Sequence, residues 1–208
     1  MPAASTLAIF ALICVGMVLT PGPNMVYLVS RSISQGRAAG LVSLVGVAVG
    51  LVFYVCCASL GITSLFVAVP FAYEALKLGG AAYLLYLAWQ AVRPGGRSPF
   101  QVKNLPVDSP RRLFSMGLVT ALLNPKVAVL YLSLLPQFIH PERGSVLIQS
   151  LVLGFTQVLV SITFNCLIVI VAGLIAAFLA SRPRVVVVQR WLMGTVLAGF
   201  AVRMAAER

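Results

Sequence analysis

The hydrophobic positions of this chain fall into long, nearly uncharged runs, with basic and proline-rich segments between them. A helix that crosses a bilayer needs about 20 mostly apolar residues, and several runs reach or approach that length. In chain order they are about Thr6–Ser30, Leu41–Leu60, Ala75–Val92, Leu113–Ile139, a span within Val146–Leu179, and Trp191–Ala206. The pattern predicts an all-α, polytopic membrane protein with six transmembrane helices.

Three of these runs need a separate interpretation. Val146–Leu179 is longer than one straight span requires, which predicts a tilt or a bend near Gly154 or Gly173. Trp191–Ala206 is the shortest run. The first run lacks a basic start and a small-residue cleavage pattern, so we expect a retained helix rather than a signal peptide.

Composition makes lipid the expected solvent for much of the surface. Of the 208 residues, 61% are hydrophobic and 9% are charged, whereas soluble domains carry about 25% charged residues. The net charge of +11 therefore indicates basic loops beside an anionic bilayer and no nucleic-acid partner. The four cysteines lie inside apolar runs without zinc-ligand spacing, so we expect them to pack as small apolar side chains: Cys14, Cys56, Cys57 and Cys166.

The basic residues are distributed unevenly over the predicted loops. Most of the 15 Lys and Arg residues fall in the first, third and fifth loops. Cytoplasmic loops collect positive charge, so these loops are predicted to be cytoplasmic and both termini periplasmic, in a bacterial-type inner membrane.

The third loop, residues 93–112, is proline-rich and reads as a linker between two halves of a single transporter domain that covers 1–208. Residues 1–92 and 113–208 then hold three spans each, and an odd number of spans makes the halves inverted repeats. The first span of each half is interrupted at corresponding positions. The breaks supply the predicted substrate-binding residues, which are Pro21, Gly22, Pro23, Asn24, Asn124, Pro125 and Lys126.

The paired breaks predict a binding site because proline opens the helical hydrogen-bond ladder. The freed groups must then find partners in protein or in a water-filled cavity. Half-helix N-termini attract a carboxylate and free carbonyls attract an ammonium, and an amino acid carries both groups. A proline kink without a ligand is the alternative reading of either break taken alone.

Lys126 lies near the middle of its run, where a charge costs about 2.5–3.5 kcal/mol on insertion scales. It is predicted to face the bundle interior, as a counter-charge for a substrate carboxylate or as a group that couples transport to protons. Glu74, at the outer start of the third run, is the other coupling candidate. The small-residue spacing around the second run predicts helix packing at Gly36, Gly40, Gly46 and Gly50.

The motifs together resemble the lysine-exporter (LysE/RhtB-type) family of amino-acid exporters. They are Thr20-Pro21-Gly22-Pro23-Asn24 with the following Arg31, Leu78-Gly79-Gly80-Ala81-Ala82-Tyr83-Leu84, Asn124-Pro125-Lys126, and Leu135-Pro136-Gln137-Phe138. The resemblance implies export of amino acids or derivatives, driven by a proton gradient or the membrane potential. The residues themselves predict no enzymatic activity, since the chain has one His, no paired carboxylates within the predicted spans and no Ser/His pairing, and we expect no cofactor and no metal.

Two questions stay open at this point. No Asp or Glu lies deep in any predicted span, which favours a neutral or small zwitterionic substrate over a cationic one. The rival functions are a membrane-embedded enzyme, a heavy-metal or other cation exporter using Cys56 and Cys57, and a non-transporting adaptor. The sequence does not fix the oligomeric state, and a homo-oligomer stays open.

Overall fold

The computed structural model describes residues 2–20, 22–68 and 107–180, together with scattered positions within 78–93 and 187–202. All regular secondary structure in these residues is helical. The elements are α1 (Ala4–Leu19), α2 (Pro23–Gln35), α3 (Arg37–Ala68), α4 (Pro110–Leu122), α5 (Pro125–Val129) and α6 (Val146–Ala180). The chain continues from α5 through a π-helical turn, Leu130–Leu134, into 3₁₀ turns at Leu135–Phe138 and Pro141–Arg143.

Two helices are long and apolar enough to cross a membrane unbroken. The spanning stretch of α3 covers Arg37–Gly61, and that of α6 covers Val146–Leu174, with mean hydropathies of 2.5 and 2.2. In α6 the helix runs uninterrupted through Gly154 and Gly173, the two sites at which a bend was one expectation.

Two further spans are broken, as the proline positions predicted. The axes of α1 and α2 meet at 55°, and those of α4 and the stretch Lys126–Phe138 meet at 49°. The described residues therefore contain two to four membrane spans, and the chain is a multi-pass membrane protein. The predicted spans Ala75–Val92 and Trp191–Ala206 lie largely outside the described residues, although their described positions between 78 and 92 and between 191 and 202 are helical.

The packing of α3 against α4 brings two backbones unusually close. A Cβ atom placed on Gly46 would lie 2.1 Å from the carbonyl oxygen of Phe114, and one on Gly117 would lie 2.2 Å from that of Ser43. Each glycine therefore faces the backbone of the other helix, which only a residue without a side chain permits. On the same helix, a Cβ on Gly50 would lie 2.7 Å from that of Ala121.

Gly36 differs from the other glycines of the predicted packing row. Its φ is +87° and a Cβ atom there would meet nothing within 4 Å. It ends α2 in a backbone conformation that favours glycine, so its role is the turn between α2 and α3 rather than helix packing. Gly40 does lie against another helix, since its Cβ would approach Val169 of α6 at 2.6 Å.

The outer helix faces carry many exposed apolar side chains, as expected where lipid is the solvent. Leu12, Leu159 and Leu174 are each more than two-thirds exposed. The cysteines divide between the two environments: Cys14 is buried in the core, whereas Cys56 and Cys57 are exposed on α3. The sequence interpretation of the cysteines as small apolar side chains did not distinguish these two environments, because the mostly apolar α3 has little sequence contrast between its inner and outer faces.

Candidate functional site

The first break separates the C-terminal end of α1 from the N-terminal end of α2. A proline at position 21 supplies no N–H for the carbonyls of the preceding turn. Thr20 closes that turn instead: its N–H donates to the carbonyls of Gly16 and Met17, at 3.2 Å each, and its hydroxyl donates to Gly16 at 2.8 Å. The next helix restarts at Pro23, a first-turn position at which the missing N–H costs nothing.

The second break has its own cap. Asn124 is the N-cap of α5, and its side-chain oxygen accepts a hydrogen bond of 3.0 Å from the backbone N–H of Lys126. Pro125 occupies the first helical position that follows. This arrangement satisfies one of the free N–H groups at the start of the half-helix.

Lys126 joins the two breaks. Its Nζ donates to the carbonyl oxygens of Met17 at 2.9 Å and Thr20 at 2.7 Å, both at the C-terminal end of α1. The side chain is 9% exposed. The C-terminal end of a helix carries partial negative charge, so it stabilises the buried ammonium. The lysine of the second broken span thus binds the broken end of the first.

Gly22 provides the space for this contact. A Cβ atom on Gly22 would lie 3.0 Å from Nζ of Lys126 and 3.1 Å from its Cε. A larger residue at this position would push the lysine away from the carbonyls. The glycine of the first break and the lysine of the second are therefore fitted to each other.

A cavity of about 30 Å³ lies where the breaks meet. Its polar lining residues are Asn24, Asn124, Lys126, Gln157, Ser161 and Asn165. None of the described residues that line it is acidic. This volume is enough for about two water molecules.

Each of two asparagines on the cavity wall has one side-chain polar atom without a hydrogen-bond partner within the described part of the chain. Asn24 is 8% exposed and its Oδ1 accepts no hydrogen bond, while Asn124 is 1% exposed and its Nδ2 donates none. Leaving such a group unpaired in a protein interior costs about 1–3 kcal/mol. Both asparagines line the same small cavity, and one carries an unpaired acceptor while the other carries an unpaired donor.

The polar residues that α6 contributes were missed from the sequence. Gln157, Ser161 and Asn165 are spaced four residues apart, so they lie on one face of the helix and reach the cavity together. Asn165 Nδ2 donates to the Ser161 carbonyl at 2.8 Å, and Tyr131 from the π-helical turn donates to Gln157 Oε1. The signal was a row of polar residues within an uncharged run.

A second missed feature is a buried ion pair at one end of the bundle. Arg31 of α2 contacts the carboxylate of Asp108, which precedes α4, and Arg112 Nε lies 3.1 Å from the same carboxylate. The backbone N–H of Asp108 donates to Gln35 at 2.9 Å. Asp108 is one of only four acidic residues in the chain, and that scarcity was the available signal.

The predicted site residues divide into three groups. Gly22, Asn24, Asn124 and Lys126 come together at the breaks. Pro23 and Pro125 start the half-helices α2 and α5. The predicted residues Pro21 and Glu74 lie outside the described residues.

The family comparison bears directly on this site. The profile described as "LysE type translocator" matches residues 15–208, which includes both breaks and Lys126. The chain belongs to this family. The resemblance inferred from the motifs is therefore confirmed.

Relatives of the chain match it over most of their length. It is 30% identical to an uncharacterized membrane protein of Pseudomonas aeruginosa, over 91% of this chain and 89% of that protein. It is 25% identical to the leucine efflux proteins of Salmonella choleraesuis and Salmonella paratyphi A, again over 91% of this chain and 89% of each relative. No solved structure matches the chain.

Proposed function

We propose that this LysE type translocator exports amino acids or their close derivatives, and that the substrate binds where the two broken helices meet. The observation that carries the proposal is the contact of Lys126 with the carbonyls of Met17 and Thr20, beside a cavity lined by amides. Discontinuous helices in secondary transporters place helix ends, with their partial charges, at the substrate site. The ammonium of an amino acid suits the partially negative end of a helix, and its carboxylate suits the partially positive end.

The polar groups at the cavity favour a neutral substrate. A cationic side chain calls for a carboxylate partner inside the membrane, and no described residue of the cavity lining provides one. Two of the relatives bear the name leucine efflux protein, which agrees with a neutral amino acid. The identity of the amino acid is to be decided by measurement.

The proposed architecture is six spans in two inverted repeats, 1–92 and 113–208, joined by a cytoplasmic linker at 93–112. A broken span followed by a long uninterrupted helix occurs twice, in α1 to α3 and in α4 to α6. This repetition supports the proposed architecture. The basic loops support an inner-membrane location with both termini periplasmic. The proton gradient or the membrane potential drives export, with Lys126 and Glu74 as the coupling candidates.

We expect the two broken helices to move apart when the substrate binds between them. The cavity of about 30 Å³ beside Lys126 is partly open to its surroundings, and its volume is enough for about two water molecules. In alternating access, one repeat moves against the other around a fixed site.

Efflux from preloaded cells tests the proposal. Cells that lack their own exporters are loaded with a panel of amino acids, and release is compared for wild type, Lys126→Ala and Arg143→Ala. Removing one partner of a buried charged contact costs at least about 2 kcal/mol, so Lys126→Ala should slow release by at least about tenfold. Arg143 is exposed in a loop, so its substitution removes a positive charge without touching the cavity.

Equal release from the Lys126→Ala cells and the wild-type cells, at equal membrane abundance, would contradict the site. Release no faster than from cells without the protein, for every amino acid in the panel, would contradict the function itself. Such a result would agree with the alternative function, a non-transporting membrane adaptor.

A further inference from the structure

The carbonyls that hold Lys126 come from the same helix end that the break exposes. Met17 lies in the last turn of α1, where its carbonyl also accepts the N–H of Thr20 at 3.2 Å, and Thr20 lies immediately after that turn. The carbonyls at this end of a helix have no N–H donors from a following turn. Both oxygens converge on one ammonium, at 2.9 Å and 2.7 Å. The pair is therefore a built site for a primary ammonium group, and Lys126 occupies it.

Among the described residues that line the cavity, none is a counter-ion for Lys126. Its two hydrogen bonds go to backbone carbonyls, and none of the described residues that line the cavity is acidic. A lysine ammonium has three donor hydrogens and a flexible four-carbon stem, so it can turn into the adjacent cavity. A ligand that brings a carboxylate would give this charge the counter-ion that the described cavity lining does not supply.

Of the two unpaired side-chain atoms, one is a hydrogen-bond acceptor and the other is a donor. Asn24 offers an acceptor, Oδ1, which suits an ammonium, and Asn124 offers a donor, Nδ2, which suits a carboxylate. Both asparagines line the same cavity as Lys126. The ammonium of a free amino acid would thus have the two carbonyls and the Asn24 amide as partners. Its carboxylate would have Lys126 and the Asn124 amide.

We infer that Lys126 is a stand-in for the substrate: the substrate's ammonium displaces it from the carbonyls of Met17 and Thr20, and the displaced lysine binds the substrate's carboxylate. This inference rests on the proposed amino-acid export and names its recognition rule. A zwitterion leaves the net charge of the cavity unchanged, because it adds one charge of each sign. An amine would place a second cation beside Lys126, and an N-acylated amino acid could not displace it.

The first step of the test uses the wild-type chain in proteoliposomes. The amino acid that is exported fastest competes for efflux with its amide and its N-acetyl derivative, which are leucinamide and N-acetylleucine in the case of leucine. Each derivative lacks one of the two charges. Both should compete at least about tenfold more weakly than the amino acid, because the site's buried polar groups are left unpaired.

The second step compares Lys126→Met and Asn124→Ala with wild type by ligand-induced thermal stabilisation in detergent. In Lys126→Met the carbonyls are open and the carboxylate partner is gone. The half-saturating concentration of leucinamide, divided by that of leucine, should be at least about tenfold lower than in the wild type. N-acetylleucine should still bind weakly. Asn124→Ala keeps the lysine and should shift the same ratio in the same direction, by a smaller factor. Arg143→Ala should leave the wild-type ratio unchanged.

The outcomes distinguish a failure of the Lys126 displacement from a failure of the proposed amino-acid export. A wild type that exports no amino acid overturns both, before any variant is made. A wild type that exports amino acids, with N-acetylleucine competing as well as leucine, overturns the inference alone. The inference alone is also overturned if the half-saturating concentration of leucinamide relative to that of leucine is the same in both cavity variants as in the wild type.

Discussion

The crossing of α3 and α4 gives a quantitative prediction for Gly46→Ala. The added Cβ would lie 2.1 Å from the carbonyl oxygen of Phe114 and 3.0 Å from the backbone nitrogen of Leu118. Carbon–oxygen contacts in helix interfaces are about 3.3 Å or longer, so the helices must separate locally by roughly 1.2 Å. The opposing atoms are backbone atoms, so no side-chain rotation relieves the clash.

The expected cost follows from this geometry. Overpacking of this kind costs about 1–3 kcal/mol, and the higher helix propensity of alanine offsets up to about 1 kcal/mol of it. The reciprocal contact of Gly117 with Ser43, at 2.2 Å, means that the helices cannot slide to a looser position nearby. We therefore expect a net loss of about 1–2 kcal/mol.

Thermal unfolding of the purified protein in detergent measures the effect. A loss of this size lowers Tm by roughly 2–8 °C for a chain of this length. Gly173→Ala is the matched control, because the same substitution on α6 meets nothing within 4 Å; it should leave Tm unchanged or raise it slightly. Equal Tm values for the two variants would refute the close crossing.

Two other variants probe features that the sequence left undefined. Asp108→Asn leaves Arg31 buried without its charged partner, so it should destabilise the protein by roughly 3–5 kcal/mol, whereas Glu142→Gln, in an exposed loop, should have little effect; similar unfolding curves for both would count against the buried pair. Replacing Cys56 and Cys57 together by serine should leave export and metal tolerance unchanged, because both side chains lie outside the cavity; a loss of metal tolerance would instead favour the metal-exporter reading.

Local chemistry explains what the sequence predicted well. The break before Pro23 and the break before Pro125 follow from the missing proline N–H and from an asparagine that caps a helix, and neither depends on distant residues. The interior position of Lys126 follows from the cost of a charge in lipid. These features needed only the hydrophobic pattern and the residues at the break.

Long-range contacts explain what the sequence could not predict. Lys126 binds the carbonyls of Met17 and Thr20, which are more than 100 positions away along the chain, and backbone acceptors have no residue-type signature. The spacing of the glycine row did not distinguish Gly36, which forms a turn, from Gly46, which lies against another backbone. That distinction depends on which helix packs opposite, which spacing alone does not encode.

Reconstituted transport tests the central claim most directly. Purified wild-type protein and Lys126→Met are placed in proteoliposomes loaded with labelled leucine and other neutral amino acids, and efflux is followed with and without an imposed membrane potential or proton gradient. Our account predicts efflux of at least one neutral amino acid by the wild type, slowed by at least about tenfold in Lys126→Met. Wild-type liposomes that release amino acids no faster than protein-free liposomes, under either driving force, would contradict it.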